Sequence, residues 1–264
     1  MRLAHLSDLH FGKIALPHIV EDLLTTLRAL ELDLVVVSGD LTQRARRREY
    51  RAAASFLEAL PAPHVVVPGN HDVYPWWRPV SRLARPLRQY RRYIREDVDD
   101  AHREPGLAVL ALNSAHGRTI KGGRMPAGTR RRIQHFFADR PGTDFRVLAV
   151  HHQLLRLEAL WPHDLTRHRH RVLDVCGEAG VDIILCGHMH IAHHEAVTLP
   201  DGHQVVIAAS GTTTSSRGRR RDRRRNSFNL LTVDASSFSV TTYRYDAQAR
   251  TFGPAEQRRY PRAE

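Results

Sequence analysis

Short runs of β-branched and apolar residues recur along this chain, each bounded by turn residues and followed by a helix-like stretch. That alternation limits the fold more than any other feature. The runs are Leu3 to Leu6, Leu34 to Val37, His64 to Val67, Leu107 to Leu112, Val147 to Val150 and Ile183 to Leu185. Between them, helices are expected at Pro17 to Leu30, Arg46 to Leu60, Arg85 to Ile94, Ala127 to Phe137 and Arg169 to Ala179, with Gly180 as a stop. Strands joined by helical crossovers build a largely parallel sheet, so the class is α/β. After Val205 the pattern changes. Val205 to Ala209, Phe228 to Val233 and Phe238 to Tyr245 follow with little helical material between them, which predicts an antiparallel second half. Two packed sheets flanked by helices accommodate both halves.

Five of these strands end in residues that bind hard or borderline metal ions. The ends read Ser7-Asp8-Leu9-His10, Ser38-Gly39-Asp40, Pro68-Gly69-Asn70-His71-Asp72, His151-His152 and Gly187-His188-Met189-His190. The carboxyl ends of parallel strands share one edge of an open α/β sheet, where ligands collect, so residues distant in sequence are expected to meet there. Gly39, Gly69 and Gly187 each precede one of these residues, and a positive φ at glycine is expected to let the strand turn sharply. Carboxylates, an amide and imidazoles gathered in one place need counter-charge, because a buried carboxylate without one is strongly disfavoured. Metal ions supply it. Mixed nitrogen and oxygen donors suit manganese, iron or zinc better than magnesium or calcium.

At 264 residues and 42% hydrophobic, the chain can bury a sizeable core, and residues 1–264 are read as a single domain. Residues 73–105, rich in Trp and Pro, form an irregular excursion expected to wall a cleft, and 215–227 is an Arg-rich loop. No apolar run approaches the roughly 18 residues of a membrane span, and no basic leader precedes an apolar stretch. The chain therefore reads as soluble and unexported, with the mature protein beginning near Met1. Cys176 and Cys186 match no zinc-type pairing, which points to a reducing cytoplasm.

The formal net charge of +12 raises nucleic acid as a partner. All but two of the 40 basic residues, Lys13 and Lys121, are arginine, a bias that base composition alone can produce. Seven arginines and one aspartate occupy 217–225, read as a solvated surface loop. Arg78, Arg82, Arg85, Arg88, Arg92 and Arg95 recur at helical spacing, interrupted by Pro79 and Pro86.

The ordered set Asp-x-His, Gly-Asp, Gly-Asn-His-Asp, His, Gly-His-x-His over residues 8–190 resembles the calcineurin-like metallophosphoesterase family. His5 to Gly12 and Gly39 to Thr42 are similar to its bacterial cyclic-nucleotide phosphodiesterase branch. The resemblance implies a four-layer α/β/β/α sandwich with two mixed sheets and the metal site at the carboxyl edge of the strands. It places Asp8, His10, Asp40 and His190 on one divalent ion, and Asp40, Asn70, His151 and His188 on a second, with Asp40 bridging. After His151 the family pattern often continues His-Pro, whereas this chain reads His152-Gln153-Leu154; His151 is chosen because it follows the strand directly.

His71, left free of metal, is expected to be the general acid for a phosphodiester whose phosphorus is attacked by hydroxide generated between the two cations. Asp72 is expected to orient its imidazole and favour the protonated form. A small phosphodiester, including a 3′,5′-cyclic nucleotide, is the expected substrate. A nuclease or a nucleotide-sugar or lipid pyrophosphatase on the same centre is the alternative, and a nucleic-acid-binding scaffold with an unused site is the non-enzymatic one. His5 is read as structural, His116 as a loop residue, and His168 and His170, within Arg167 to Arg171, as part of an exposed basic helix start; His163 adds to the high histidine count. His193 and His194 are weighed as outer contacts to the site without being assigned to it.

Overall fold

The computed structural model describes residues 1–119, 121–138, 144–157, 165–218, 222 and 225–262. Its elements run β1 (Arg2–Leu6), α1 (Pro17–Ala29), β2 (Leu34–Ser38), α2 (Arg47–Glu58), β3 (His64–Val67), α3 (Pro79–Ala84), α4 (Arg88–Tyr93), β4 (Asp100–Glu104) and β5 (Leu107–Leu112). They continue with α5 (Thr129–Ala138), β6 (Phe145–Val150), α6 (Arg169–Glu178), β7 (Ile183–Cys186), β8 (His193–Thr198), β9 (Gln204–Ala209), β10 (Ser227–Val233), β11 (Ser237–Asp246) and β12 (Thr251–Pro261).

Two six-stranded sheets result, ordered β12-β11-β10-β1-β2-β3 and β4-β5-β6-β7-β9-β8. In the first, β1, β2 and β3 are parallel, and β10 to β12 extend it antiparallel. In the second, β5, β6, β7 and β9 are parallel, flanked by antiparallel β4 and β8. The second half is therefore not uniformly antiparallel. β9 joins β7 in parallel because β8, unnoticed in the sequence, is antiparallel to it.

Period-two alternation sorts the side chains. Leu3, Leu34, Val36, Val65 and Val67 meet Leu107, Val109, Phe145, Val147, Ile183 and Leu185 between the sheets. The intervening Ala4, Val35, Val37 and Val66 face outward and pack with Ile19, Leu23, Leu27, Tyr50 and Phe56 of α1 and α2. On the far side, Leu110, Leu148, Val150 and Ile184 pack with Ile133, Phe137, Val172 and Cys176 of α5 and α6. Burial on both faces explains the continuous apolar runs. The order helix, sheet, sheet, helix is the four-layer sandwich.

Within 73–105 lie α3, α4 and β4 rather than one irregular segment. Its arginines do not share a helical face, because Pro79 and Pro86 break the path. Arg82 is buried, and Arg95 pairs with Asp100. Arg82 Nε donates to the Gly117 carbonyl at 2.8 Å and its terminal nitrogens donate to Tyr74 O and Thr119 O, which pins the excursion to the loop after β5.

Candidate metal centre

The carboxyl ends of β1, β2 and β3 lie against those of β6 and β7, and short backbone bonds lace their loops together. Asp8 N donates to Gly39 O at 3.1 Å, His10 N to Asp40 O at 2.9 Å, and Gly187 N to His151 O at 3.0 Å. Asp8, His10, Asp40, His188 and His190 all have positive φ, between 51° and 68°. This left-handed backbone costs non-glycine residues about 1–2 kcal/mol each and persists only where the surroundings enforce it.

Part of the enforcement comes from a threonine run that sequence reasoning missed. Thr213, Thr212 and Thr214 give their hydroxyls to the carbonyls of Ser7, Asp8 and Leu9 at 3.0, 2.8 and 2.9 Å, all buried. The signal available was the run Ser210-Gly211-Thr212-Thr213-Thr214-Ser215, small and polar residues that directly follow the apolar Val205 to Ala209.

The glycines act differently from expectation. Gly39 does have φ of 94°, but Gly69 and Gly187 are required by close approach. A Cβ on Gly69 would lie 2.1 Å from Asp40 Oδ1, and one on Gly187 would lie 1.8 Å from Ser7 Oγ. The positive φ sits on the residues that follow Gly39 and Gly187 as well as on Gly39 itself.

The structure brings all seven residues Asp8, His10, Asp40, Asn70, His151, His188 and His190 together, in two groups that share Asp40. On one side, Asp8 Oδ1 is 3.2 Å from His190 Nε2 and 3.6 Å from His10 Nε2, and Asp40 Oδ2 is 3.7 Å from His10 Nε2. On the other, Asp40 Oδ1 is 3.4 Å from His151 Nε2, and Asn70 Oδ1 is 3.2 Å from His151 Nε2 and 3.0 Å from His188 Nδ1. Outer contacts fix the rings. His151 Nδ1 donates to Ser38 O at 2.8 Å, which turns the Nε2 lone pair inward. Asp8 Oδ2 is occupied by Ser7 Oγ at 2.7 Å and His188 N at 2.9 Å, leaving Oδ1 for the centre.

His152 also offers a ring nitrogen within 4.8 Å of those of His151 and His188. Its Nδ1 bonds Ser114 Oγ at 2.8 Å and its Nε2 is buried without a hydrogen-bond partner, whereas His151 Nε2 reaches both Asp40 and Asn70.

Electrostatics fit a pair of cations. Asp8 Oδ1 and Asp40 Oδ2 are buried without a hydrogen-bond partner, an arrangement that is costly unless a cation faces them. Burial alone would raise both carboxyls; His190 and His10 beside Asp8, and His151 and His71 beside Asp40, hold them well below the usual range. Burial pulls His10 down to about 4 and His188 to about 3, so both present neutral lone pairs. Burial also opposes charge on His151, but the adjacent Asp40 carboxylate more than offsets it and holds this imidazole at about 9. A proton there is what a cation would displace.

His71 stands beside this centre, its ring 4.8 Å from that of His10 and edge-on to it. Its Nδ1 donates to Gln43 O at 2.8 Å. Gln43 N donates in turn to Phe11 O at 3.0 Å, and the residues after it are fixed at the start of α2, where Glu49 accepts from Arg44 N and Arg46 N at 2.8 and 3.2 Å. Asp72, in contrast to the sequence reading, makes no carboxylate hydrogen bond to the His71 ring. Its buried carboxylate turns away to accept from Leu41 N, Thr42 N, Thr42 Oγ1 and Gly69 N, at 2.8 to 3.1 Å. Burial and the nearby Asp40 carboxylate raise its pKa to about 7 against those bonds. The residue ties the β2 and β3 loops together.

The Arg-rich loop also departs from a purely solvated reading. Arg217 Nη1 donates to His71 Nε2 at 2.8 Å, and Asp222 is buried, accepting from Ala192 N at 2.8 Å. Arg219 to Arg221, Arg223 and Arg224 lie outside the described residues, as does His163. His5 is structural, bonding Ser38 Oγ at 2.9 Å between the sheets. His116 lies in the loop after β5, with Arg118 N on its Nδ1 at 3.5 Å, and His168 caps α6, which carries His170. His193 and His194 belong to β8, where they engage Glu195 and Tyr260 rather than the site.

Residues 1–192 match the family model described as calcineurin-like phosphoesterase. Among curated proteins, the chain is 40% identical over 82 residues to the glycerophosphodiester phosphodiesterase GpdQ of Enterobacter lignolyticus, covering 27% of this chain and 30% of the relative. It is 29% identical over 126 residues to a Fibrobacter succinogenes protein named "Probable cyclic nucleotide phosphodiesterase", covering 44% of this chain and 46% of the relative. The matches thus span less than half the length of either relative. Among solved structures, purple acid phosphatase PPD1 from yellow lupin superposes with a TM-score of 0.69 at 12% identity, over 99% of this chain and 54% of the plant protein. A dimetal phosphatase from Danio rerio superposes with a TM-score of 0.63 at 13% identity, over 100% of this chain and 99% of that one. At such identity these two establish a shared fold.

Proposed function

Because the chain belongs to the calcineurin-like phosphoesterase family, we propose that it hydrolyses a phosphodiester at a centre in which Asp8, His10, Asp40 and His190 hold one divalent ion and Asp40, Asn70, His151 and His188 hold another. The observation that carries this reading is the split of Asp40, whose Oδ2 faces His10 while Oδ1 faces His151, with Asp8 Oδ1 and Asp40 Oδ2 otherwise unpartnered. Manganese, iron or zinc suits the donor set. Bound there, such ions supply charge that polarises a phosphoryl oxygen and lowers the pKa of water.

The protein's own groups do the rest. His71, held through Nδ1 by Gln43 O, accepts from Arg217 at Nε2 in this structure; once freed, that nitrogen takes up a proton from water and gives it to the departing oxygen. Arg217, now on Nε2, is placed to take a phosphoryl oxygen when substrate enters, which frees that nitrogen. A diester is the substrate class in the names of both relatives, and its leaving alkoxide takes that proton. Cyclic nucleotides are the leading candidates among small diesters, in line with the name carried by the Fibrobacter relative.

The test compares metal-reconstituted protein on an aryl phosphodiester, an aryl monoester, cyclic AMP, cyclic GMP, a 2′,3′-cyclic nucleotide and single-stranded DNA. Diesters are expected to turn over faster than the monoester, and chelation is expected to abolish turnover. Two bound metals with no hydrolysis of any diester would defeat the reading, and a preference for DNA would reassign the protein as a nuclease.

A further inference from the structure

The described residues leave four large apolar side chains exposed, and all four fall in one stretch: Trp76 at 68%, Trp77 at 46%, Val80 at 79% and Leu83 at 63%. From Val73 to Arg95 the chain carries seven arginines and no acidic residue. Of these, Arg78, Arg85 and Arg88 are exposed among the apolar tips. From this coincidence we propose that the Trp76 to Arg88 surface is a docking site for an anionic lipid surface.

The patch is built rather than left over. Buried Arg82 bonds three carbonyls, those of Gly117, Tyr74 and Thr119, and Tyr74 N donates to Pro86 O at 3.1 Å, closing the base of the excursion. That base holds the tips outward and keeps them from collapsing onto the core. Indole rings settle at the headgroup level of a bilayer, where one edge is apolar and the other wet. Guanidinium groups pair with lipid phosphates in bidentate fashion, and a net charge of +12 adds long-range attraction to an anionic leaflet.

A second copy of this chain fits the patch poorly, since self-pairing would set one acid-free arginine stretch against another. The site also adjoins the metal centre. The Arg44 guanidinium lies 5.1 Å over the Trp77 ring, and Arg44 follows Gln43, whose carbonyl holds His71. A protein docked here sits with the His71 side of its cleft next to the lipid surface.

The test is co-sedimentation of the full chain with phosphatidylcholine vesicles, with and without phosphatidylglycerol. Two triple variants accompany it, Trp76→Ser/Val80→Ser/Leu83→Ser and Arg78→Gln/Arg85→Gln/Arg88→Gln. All six positions are exposed, so an unchanged melting temperature and unchanged hydrolysis of a soluble aryl phosphodiester are expected. The wild-type chain is expected to pellet only with the anionic vesicles, and each variant to weaken partitioning by about tenfold to a hundredfold. Because vesicle binding is read without turnover, it stands or falls separately from the proposed hydrolysis. The proposal is overturned by a wild-type chain that stays in the supernatant. It is equally overturned by binding that survives loss of the apolar trio, or by a concentration-dependent dimer that needs that trio while vesicles go unbound.

Discussion

Asp72 Oδ1 accepts hydrogen bonds from both the amide and the hydroxyl of Thr42, at 2.8 and 2.9 Å, and so fastens the β3 loop to the β2 loop. The acid that follows His71 in sequence is therefore a brace. Asp72→Asn replaces an acceptor by a donor against several N–H groups and is expected to cost about 2–4 kcal/mol, read by urea denaturation. The alkaline limb of the pH–rate profile on an aryl phosphodiester, where a general acid loses its proton, should stay where it is. A displaced alkaline limb with little loss of stability would return Asp72 to an orienting role.

Removing Asp40 should affect both ions and removing Asn70 only one. Metal analysis after gel filtration is expected to find one retained equivalent in Asn70→Ala and less than one in Asp40→Ala, because the two Asp40 oxygens serve different groups. Equal stoichiometry in the two variants would contradict a bridging Asp40.

His71→Ala is expected to lower turnover by about 10² to 10⁴ with metal content unchanged, the range for loss of a general acid. Arg217→Ala should keep its metals yet weaken inhibition by inorganic phosphate, since the guanidinium is placed to bind a phosphoryl oxygen. Unchanged turnover in the first variant, with metals verified, removes His71 from the mechanism.

Two glycine substitutions separate crowding from propensity. A Cβ at Gly69 meets the Asp40 backbone nitrogen at 2.4 Å as well as its carboxylate, whereas one at Gly253 meets nothing within 4 Å. Gly69→Ala should therefore cost about 3 kcal/mol or more and impair metal uptake, while Gly253→Ala stays within about 0.5 kcal/mol. Calorimetry on the two variants side by side checks this.

Alkaline pH should unfold the protein through its buried acids. Burial pushes the Cys186 thiol up to about 12 and raises Cys176, Tyr50 and Tyr90 above their usual ranges. These groups bind their protons more tightly when folded, so the stability they contribute is complete below the unfolded values, near about 8.5 for Cys and 10 for Tyr. It is lost as pH rises toward the folded values, by about 1.4 kcal/mol per pH unit for each group. Urea midpoints measured from pH 8 to 11 should fall steadily, and both thiols should resist alkylation until the chain unfolds.

Much of this molecule was written into its local pattern. Apolar runs buried on both faces mark the inner strands, because each must satisfy a helix layer and a facing sheet at once. The metal-binding residue types at five strand ends then follow from parallel topology, which puts those ends on one edge. The strands that escaped notice, β4, β8 and β12, are all sheet edges. Asp100–Glu104, His193–Thr198 and Thr251–Pro261 pair on one side only and keep polar residues toward water, so no apolar run announces them.

What the tertiary structure alone decided is direction and contact. Which oxygen of Asp40 faces which histidine, where the Asp72 carboxylate turns, and why Gly187 must lack a side chain beside Ser7 depend on segments up to about 180 residues apart meeting within a few ångströms. The threonine hydroxyls on Ser7 to Leu9 and the reach of Arg217 to His71 are of the same kind. A linear pattern records which groups are present and how they alternate; the pairing of groups across separate loops exists only after the sheets have packed.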